Sequence, residues 1–464
     1  MGVLERIGAV TSRLVLLAGL SLGAPAGAET LADALASAYR NSNLLEQNRA
    51  LLRAADEDIQ QAIAALYPVV TFAATALTNS GGSPDYRLSA GLTATMTLFD
   101  FGRTRLGVDV QRETVLATRS ALIVVEQNVL LSAVSAYLGL YSDLQTQQLQ
   151  RNNVGVINEQ LRAARERFEL GDSTRTDVAL AEARLAASRS ALASAEGDIA
   201  IAREQYNLVV GQYPTSIMPP PTLPRLPGSL QEAQDIARRN HPAIIQAQHM
   251  VNVSDLATEI ARTQRLGTVT GSLSADTRVG RTSPLPESQS SDVTASVTYQ
   301  VPLFNAGRLR SSERQTVARA ESQRAALHQT VAIVQQSVAA NWAQLAVARA
   351  VLAAGDLQIQ AAQSAYDAVS AEAELGSRTT LDVLDAEQEL LDARSSRILA
   401  AANVHLAAYA LLEAMGQLTV QGLGLGIPTY DVEAYSTGLR HDPGINRSPQ
   451  GQALDRIRGR YTRP

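Results

Sequence analysis

Between residues 86 and 98 the chain alternates: Tyr86, Leu88, Ala90, Leu92, Ala94, Met96 and Leu98 are apolar, and Arg87, Ser89, Thr93, Thr95 and Thr97 stand between them. A period of two predicts a β-strand with one apolar and one small polar face. The pattern returns at Val293, Ala295, Val297, Tyr299 and Val301, against Asp292, Thr294, Ser296, Thr298 and Gln300. A partner strand is expected before each, cleanly alternating over 268–279 and less so over 69–78. The turns GGSPD from Gly81 and GRTSPLPESQS from Gly280 then predict two hairpins.

Past each second strand the spacing changes to three and four. Apolar residues fall at Leu122, Val125, Val129, Ala133, Ala136, Leu140 and Leu144, and again at Leu327, Val331, Val334, Val338, Trp342 and Leu345. This rhythm fits a coiled-coil seam or the buried face of an ordinary helix. Length decides between them. Proline costs about 3 kcal/mol inside a helix, and residues 86–213 and 303–427 contain none. Residues 103–170 and 308–375 therefore predict helices of about 100 Å each, far longer than a globular domain needs.

These elements come as two copies. LFDFGR at Leu98 returns as LFNAGR at Leu303, LADALASAYRNSN at Leu31 as LQEAQDIARRNHP at Leu230, and RFELGDSTRTDV at Arg167 as EAELGSRTTLDV at Glu372. A tandem duplication is the reading, with repeats over 29–217 and 229–421, a Pro-rich linker over 218–228 and a tail over 422–464. The tail has no period and is expected to be partly disordered. At each strand-to-helix junction Asp100 and Asn305 are expected N-caps, and Phe99 and Phe304 sit where interfacial aromatics would.

Composition narrows the function. Aromatics make up only 4% of the chain, too few for several thick cores, and a net charge of -5 gives no basic footprint for nucleic acid. All basic residues other than histidine are Arg, a bias of composition rather than chemistry. With no Cys, disulfides, thiolate zinc sites, cysteine nucleophiles and an N-terminal lipidated Cys are excluded. Arg6 and Arg13 precede the run LVLLAGLSLGAPAGA, which ends in the small residues Ala26, Gly27 and Ala28. That is the pattern of a signal peptide over 1–28. No later run of about 20 apolar residues predicts a transmembrane helix, so any membrane crossing is expected from strands.

Four strands of about 10 residues with one apolar and one polar face match membrane-barrel strands. They also fit a soluble sheet wetted on one side. Export, the lack of bulky residues for a second core, and the continuation into very long helices favour the membrane. Four strands close no barrel, so several chains must pool theirs.

The duplicated helix, strand-pair and helix-pair order, the LFDFGR and LFNAGR phrases and the two Leu-Gly turns together resemble the TolC family of outer membrane efflux and secretion channels, over about residues 30 to 420. The resemblance implies a mainly α fold with a membrane β-barrel portion. A homotrimer would share one twelve-stranded barrel, four strands per chain, continuous with an α-helical coiled-coil barrel across the periplasm. Pattern alone leaves an eight-stranded dimer open. The resemblance further implies outer membrane lipid around the barrel and docking on a periplasmic adaptor protein and an inner-membrane transporter. Leu170, Gly171, Leu375 and Gly376 lie at the end farthest from the strands and are the expected adaptor-docking turns. Asp382 and Asp385 match acids that ring the tunnel's closed entrance and attract cations. Arg378, Thr176 and Asp177 match positions whose links latch it, although Ala373 stands where a tyrosine partner can occur.

Thr174 with Asp177 and Thr379 with Asp382 also read as capping boxes. Asp385 lacks that explanation, and its counterpart in the first copy is Leu180. His241, His249, His328, His405 and His441 lack metal spacing, and no phosphate loop, nucleophile elbow or paired-acid pocket stands out. No enzyme and no cofactor is expected. The competing class, a periplasmic coiled-coil adaptor or scaffold, leaves the alternating strands unexplained. Drugs, metal ions and secreted proteins all remain open as cargo, because a passive duct needs no substrate pocket.

Overall fold

The computed structural model of the chain describes residues 29–79, 85–281 and 286–439. The expected signal peptide, residues 80–84 and 282–285 of the two hairpin turns, and residues 440–464 of the tail lie outside them. The first copy runs α1 (Leu31–Asn41), α2 (Asn43–Ala64), β1 (Val69–Asn79), β2 (Asp85–Phe99), α3 (Arg103–Leu170) and α4 (Arg175–Val210). The second repeats that order as α5 (Leu230–Asn240), α6 (Pro242–Thr263), β3 (Thr268–Arg281), β4 (Ser288–Gln300), α7 (Arg308–Glu374) and α8 (Thr380–Ala414). A short α9 (Ala434–Leu439) follows.

The strands form one antiparallel sheet in the order β1-β2-β3-β4, so the two hairpins meet at β2 and β3. The register places Phe72, Leu92, Ala275 and Val293 in one cross-strand row, and Val70, Ala94, Leu273 and Ala295 in another on the same face. This apolar face is uncovered: Phe72, Leu92, Leu273 and Val293 are all exposed. The opposite face carries Thr71, Thr93, Ser274 and Thr294 in one row. A register shift between Thr97 and Phe99 brings Phe99 opposite Val269, onto the apolar side. A bulge there re-aims the aromatic, as bulges at barrel rims do.

α3 and α7 are 68 and 67 residues long, about 100 Å each. α3 packs against α2 and α6 along its first half and α4 and α8 beyond. Mid-length, α1 and the last turns of α4 and α8 close a core around Leu130, Ala133, Val134 and Tyr137. Tyr137 is fully buried, and its hydroxyl donates to the carbonyls of Met218 at 2.7 Å and Glu29 at 3.1 Å. Asn41, from the repeated Arg-Asn pair, donates from Nδ2 to the Val210 carbonyl at 2.9 Å. It caps the end of α4, where Gly211 leaves no room for a Cβ.

The strand-to-helix junctions differ from expectation. Gly102 and Gly307, not Asp100 and Asn305, occupy the N-cap positions, at φ 84° and 83°. Phe101 and Ala306 just before them are also left-handed, at φ 59° and 49°. Two successive residues of this kind turn the chain from strand to helix in a way side-chain capping rules do not anticipate. Asp100 still caps from two residues upstream, its Oδ2 accepting from the Thr104 amide at 2.8 Å.

The start of the aperiodic tail, residues 422–439, folds back on the core. Leu423, Leu425, Ile427, Tyr430 and Val432 pack against it, and the Tyr430 amide donates to the Tyr39 hydroxyl at 3.1 Å. α3 and α7 each contain a stretch apolar enough to cross a bilayer by length and composition, which the search for apolar runs did not foresee. Each helix is already joined to the sheet at one end and to a tight turn at the other, and Ala supplies much of its apolar character.

Candidate functional site

The far end of the two helical hairpins is built from one local design used twice. Gly171 and Gly376 adopt φ of 86° and 78°, values that glycine reaches without a Cβ clash. The Gly171 amide donates to the Phe168 carbonyl and the Asp172 amide to that of Arg167; Gly376 and Ser377 do the same toward Ala373 and Glu372. These paired bonds are the Schellman closure of α3 and α7. They leave Leu170 and Leu375 outermost, 78% and 87% exposed.

α4 and α8 then start from capping boxes. Thr174 Oγ1 accepts from the Asp177 amide, while Asp177 Oδ2 accepts from the Thr174 amide at 2.9 Å and from Ser173 Oγ at 3.1 Å. Thr379 and Asp382 repeat the exchange at 3.2 and 2.9 Å. The bonds from Thr174 and Thr379 hold the carboxyls of Asp177 and Asp382 below the usual aspartate range.

Asp385 takes no part in the capping box, as the sequence reading has it, but it has another partner. Its Oδ1 accepts from Arg184 Nη2 of α4 at 2.8 Å, an ion pair joining the two repeats. Beside it Leu384, 1% exposed, sits among Ile157, Leu161, Ala164, Ala181 and Leu185 of the first hairpin. Burying such a side chain contributes about 1.5–3 kcal/mol. About one helical turn past Leu384, the buried Glu387 carboxylate lies beside the Tyr366 hydroxyl of α7, which also neighbours Gln160 of α3. Burial pushes the Glu387 carboxyl above its ordinary range.

The expected latch residues are not brought together within one chain. Arg378 turns back on its own hairpin, its Nε donating to Glu372 Oε2 at 2.8 Å. Thr176 is exposed on the first turn of α4 and Asp177 is committed to its capping box. Ala373 is buried and offers no hydroxyl. Arg184, Leu384, Tyr366 and Glu387 were missed from sequence. A signal existed for the first: Leu180 and Asp385 diverge between the copies, and four residues on so do Arg184 and its counterpart Glu389. Among the described residues no cluster of three His, Asp or Glu is placed to hold a metal.

Long hairpins of this kind, continuous with a four-stranded sheet, have known counterparts. The outer membrane efflux protein family matches residues 34–212 and 234–417, one segment per repeat. The chain belongs to this family. The outer membrane efflux protein BepC of Brucella suis is 34% identical over 444 residues, 94% of this chain and 96% of that one. Solved channels share the fold: CusC, with a TM-score of 0.73 at 19% identity over 83% of this chain and 92% of that one, and the outer membrane protein VceC of Vibrio cholerae, with 0.70 at 20% identity over 83% and 96%. The resemblance to TolC-type channels holds: this chain carries, in the fold of such channels, the long helical hairpins and the strands from which they build a helical tunnel and a β-barrel. This efflux protein therefore acts as a channel of the Gram-negative outer membrane, in a family of channels rather than enzymes.

Proposed function

We propose that three copies of this chain pool their sheets into one twelve-stranded barrel in outer membrane lipid and their hairpins into one tunnel. The tunnel carries cargo outward from a periplasmic adaptor and an inner-membrane transporter. One observation carries the reading: the sheet has an entirely uncovered apolar face and two edge strands, β1 and β4, without partners among the described residues. Lipid and neighbouring copies are the surroundings that satisfy such a sheet.

In this assembly the turns at Leu170-Gly171 and Leu375-Gly376 meet the adaptor, because they are exposed and lie farthest from the sheet. Asp382 and Asp385 of three chains ring the narrow entrance, and Arg378, Thr176 and Asp177 make their latch across neighbouring chains. Similarity to the outer membrane efflux protein BepC favours efflux over protein secretion as the task. A deletion strain assayed in parallel for drug sensitivity and for missing extracellular proteins tests this: hypersensitivity with an intact secretome is expected, and the reverse overturns the cargo. The detergent-extracted protein is expected at the mass of three chains; a stable monomer overturns the shared barrel.

A further inference from the structure

The two acids assigned to the entrance have unlike surroundings. Asp382 Oδ2 is bound to Thr379 of its own turn. Asp385 instead faces Arg184 across the seam between the repeats, at 2.8 Å. The pair lies at the surface, with the Asp385 side chain 61% exposed, but its backbone is anchored. Leu384 precedes Asp385 and Leu185 follows Arg184, and both leucines are buried in the same small core. The backbone on each side of the ion pair is thus fixed by packing, and the Arg184 side chain is 32% exposed. Holding both partners in place removes much of the entropic cost that makes surface bridges weak.

The duplication shows that the pair runs in one direction only. The counterpart of Asp385 is Leu180 and that of Arg184 is Glu389. A reciprocal contact would set Leu180 against Glu389, with no cation to offer. The cation of this inter-repeat pair therefore comes once per chain, beside Asp385, while Arg378 of the same tip is taken up by Glu372.

We propose that Arg184 is a specificity-determining residue of the channel. It neutralises Asp385, leaves Asp382 as the source of negative charge at the constriction, and so sets the affinity of the entrance for multivalent cations. The proposal rests on reading Asp382 and Asp385 as that constriction. In a ring of three chains Arg184 offsets about half of the carboxylate charge.

The experiment is block by hexaamminecobalt(III) of the assembled full-length protein in planar bilayers, comparing wild type with Arg184→Gln, Asp385→Asn, the double variant and Asp382→Asn. Retention of the heat-resistant oligomer controls for folding. Arg184→Gln frees a carboxylate and is expected to tighten block by about fivefold or more. Asp385→Asn frees the guanidinium and is expected to weaken it, while the double variant returns near wild type. If the two single variants shift block in the same direction, the pair is only a mechanical tie and the proposal fails. It also fails if Arg184→Gln leaves block unchanged while Asp382→Asn weakens it. Block that survives Asp382→Asn and all the other substitutions removes the constriction reading itself.

Discussion

α3 and α7 start from the same phrase, run 68 and 67 residues, and each contain a stretch apolar enough for a bilayer; half of that stretch is buried in α3 and most of it is uncovered in α7. Sequence does not explain the difference, because both follow the same three-and-four rhythm. Neighbours do. α3 lies among α1, α2, α4, α6 and α8, whereas α7 has α5, α6 and α8. Ile333, Val347, Val351 and Leu357 consequently stand more than half exposed along α7. An apolar stripe kept at such positions costs solubility unless something covers it. The contrast teaches that equal rhythm does not give equal burial, and the proposed assembly supplies a cover for α7 in a neighbouring copy.

The largest expected effect comes from breaking that surface. Val347 and Val351 are four apart and share a helix face. Replacing both with Glu should abolish the oligomer, read as loss of the heat-resistant band in detergent. Replacing Val134 and Leu138 of α3, both buried within one chain, should instead remove the folded protein altogether. If the α7 double variant assembles like wild type, its uncovered face is no interface.

Next in size are the turns. Valine at Gly171 or Gly376 forces a β-branched residue into the left-handed region, at about 1–2 kcal/mol per site. The oligomer should persist, since these turns touch neither the sheet nor the mid-length core. Drug export should fail, measured as intracellular dye accumulation. Loss from one turn alone would show which repeat the adaptor reads; unchanged accumulation in both would remove the docking role. The caps are weaker. Thr174→Ala and Thr379→Ala should each cost about 1 kcal/mol, seen as faster hydrogen exchange in the first turn of α4 or α8. Only Thr379→Ala should also alter cation block, by releasing Asp382.

Much of this was legible in sequence, for physical reasons that also mark the limits. Strands showed because one face of the sheet is mostly apolar and the other mostly polar. The long helices showed because nothing interrupts them. The junctions at Phe101 and Ala306 were misread because a left-handed non-glycine residue ahead of a glycine carries no side-chain signature. The fold of residues 422–439 was illegible because its contacts, such as Tyr430 with Tyr39 and Tyr435 with Glu57, are made across nearly the whole chain. At the tip the same limit applies: Arg184 and Asp385 form a pair only once the two repeats are laid side by side.

The smallest effect compares one residue type in two settings. Glu182 and Glu387 stand at equal distances past Gly171 and Gly376. Glu182 is exposed and paired with Arg165 of α3. Glu387 is 7% exposed and lies beside the Tyr366 hydroxyl, with only Arg394 contributing a favourable charge. Burial outweighs these contacts and raises its carboxyl pKa, so the folded state binds this proton more tightly than the unfolded chain does. Stability from Glu387 is therefore complete below the ordinary glutamate value of 4.5 and is lost as pH rises through the raised folded value. Glu387→Gln keeps an acceptor for Tyr366 and removes the titration. It should slow hydrogen exchange at the tip of α8 near neutral pH, by an amount worth about 0.5–1 kcal/mol, and leave exchange under acid unchanged. Glu182→Gln should give no such gain, because an exposed pair contributes about 0–1 kcal/mol and its loss runs the other way. Equal responses at the two sites would mean that the buried setting of Glu387 carries no cost, and that the tips differ in their charge pairing alone.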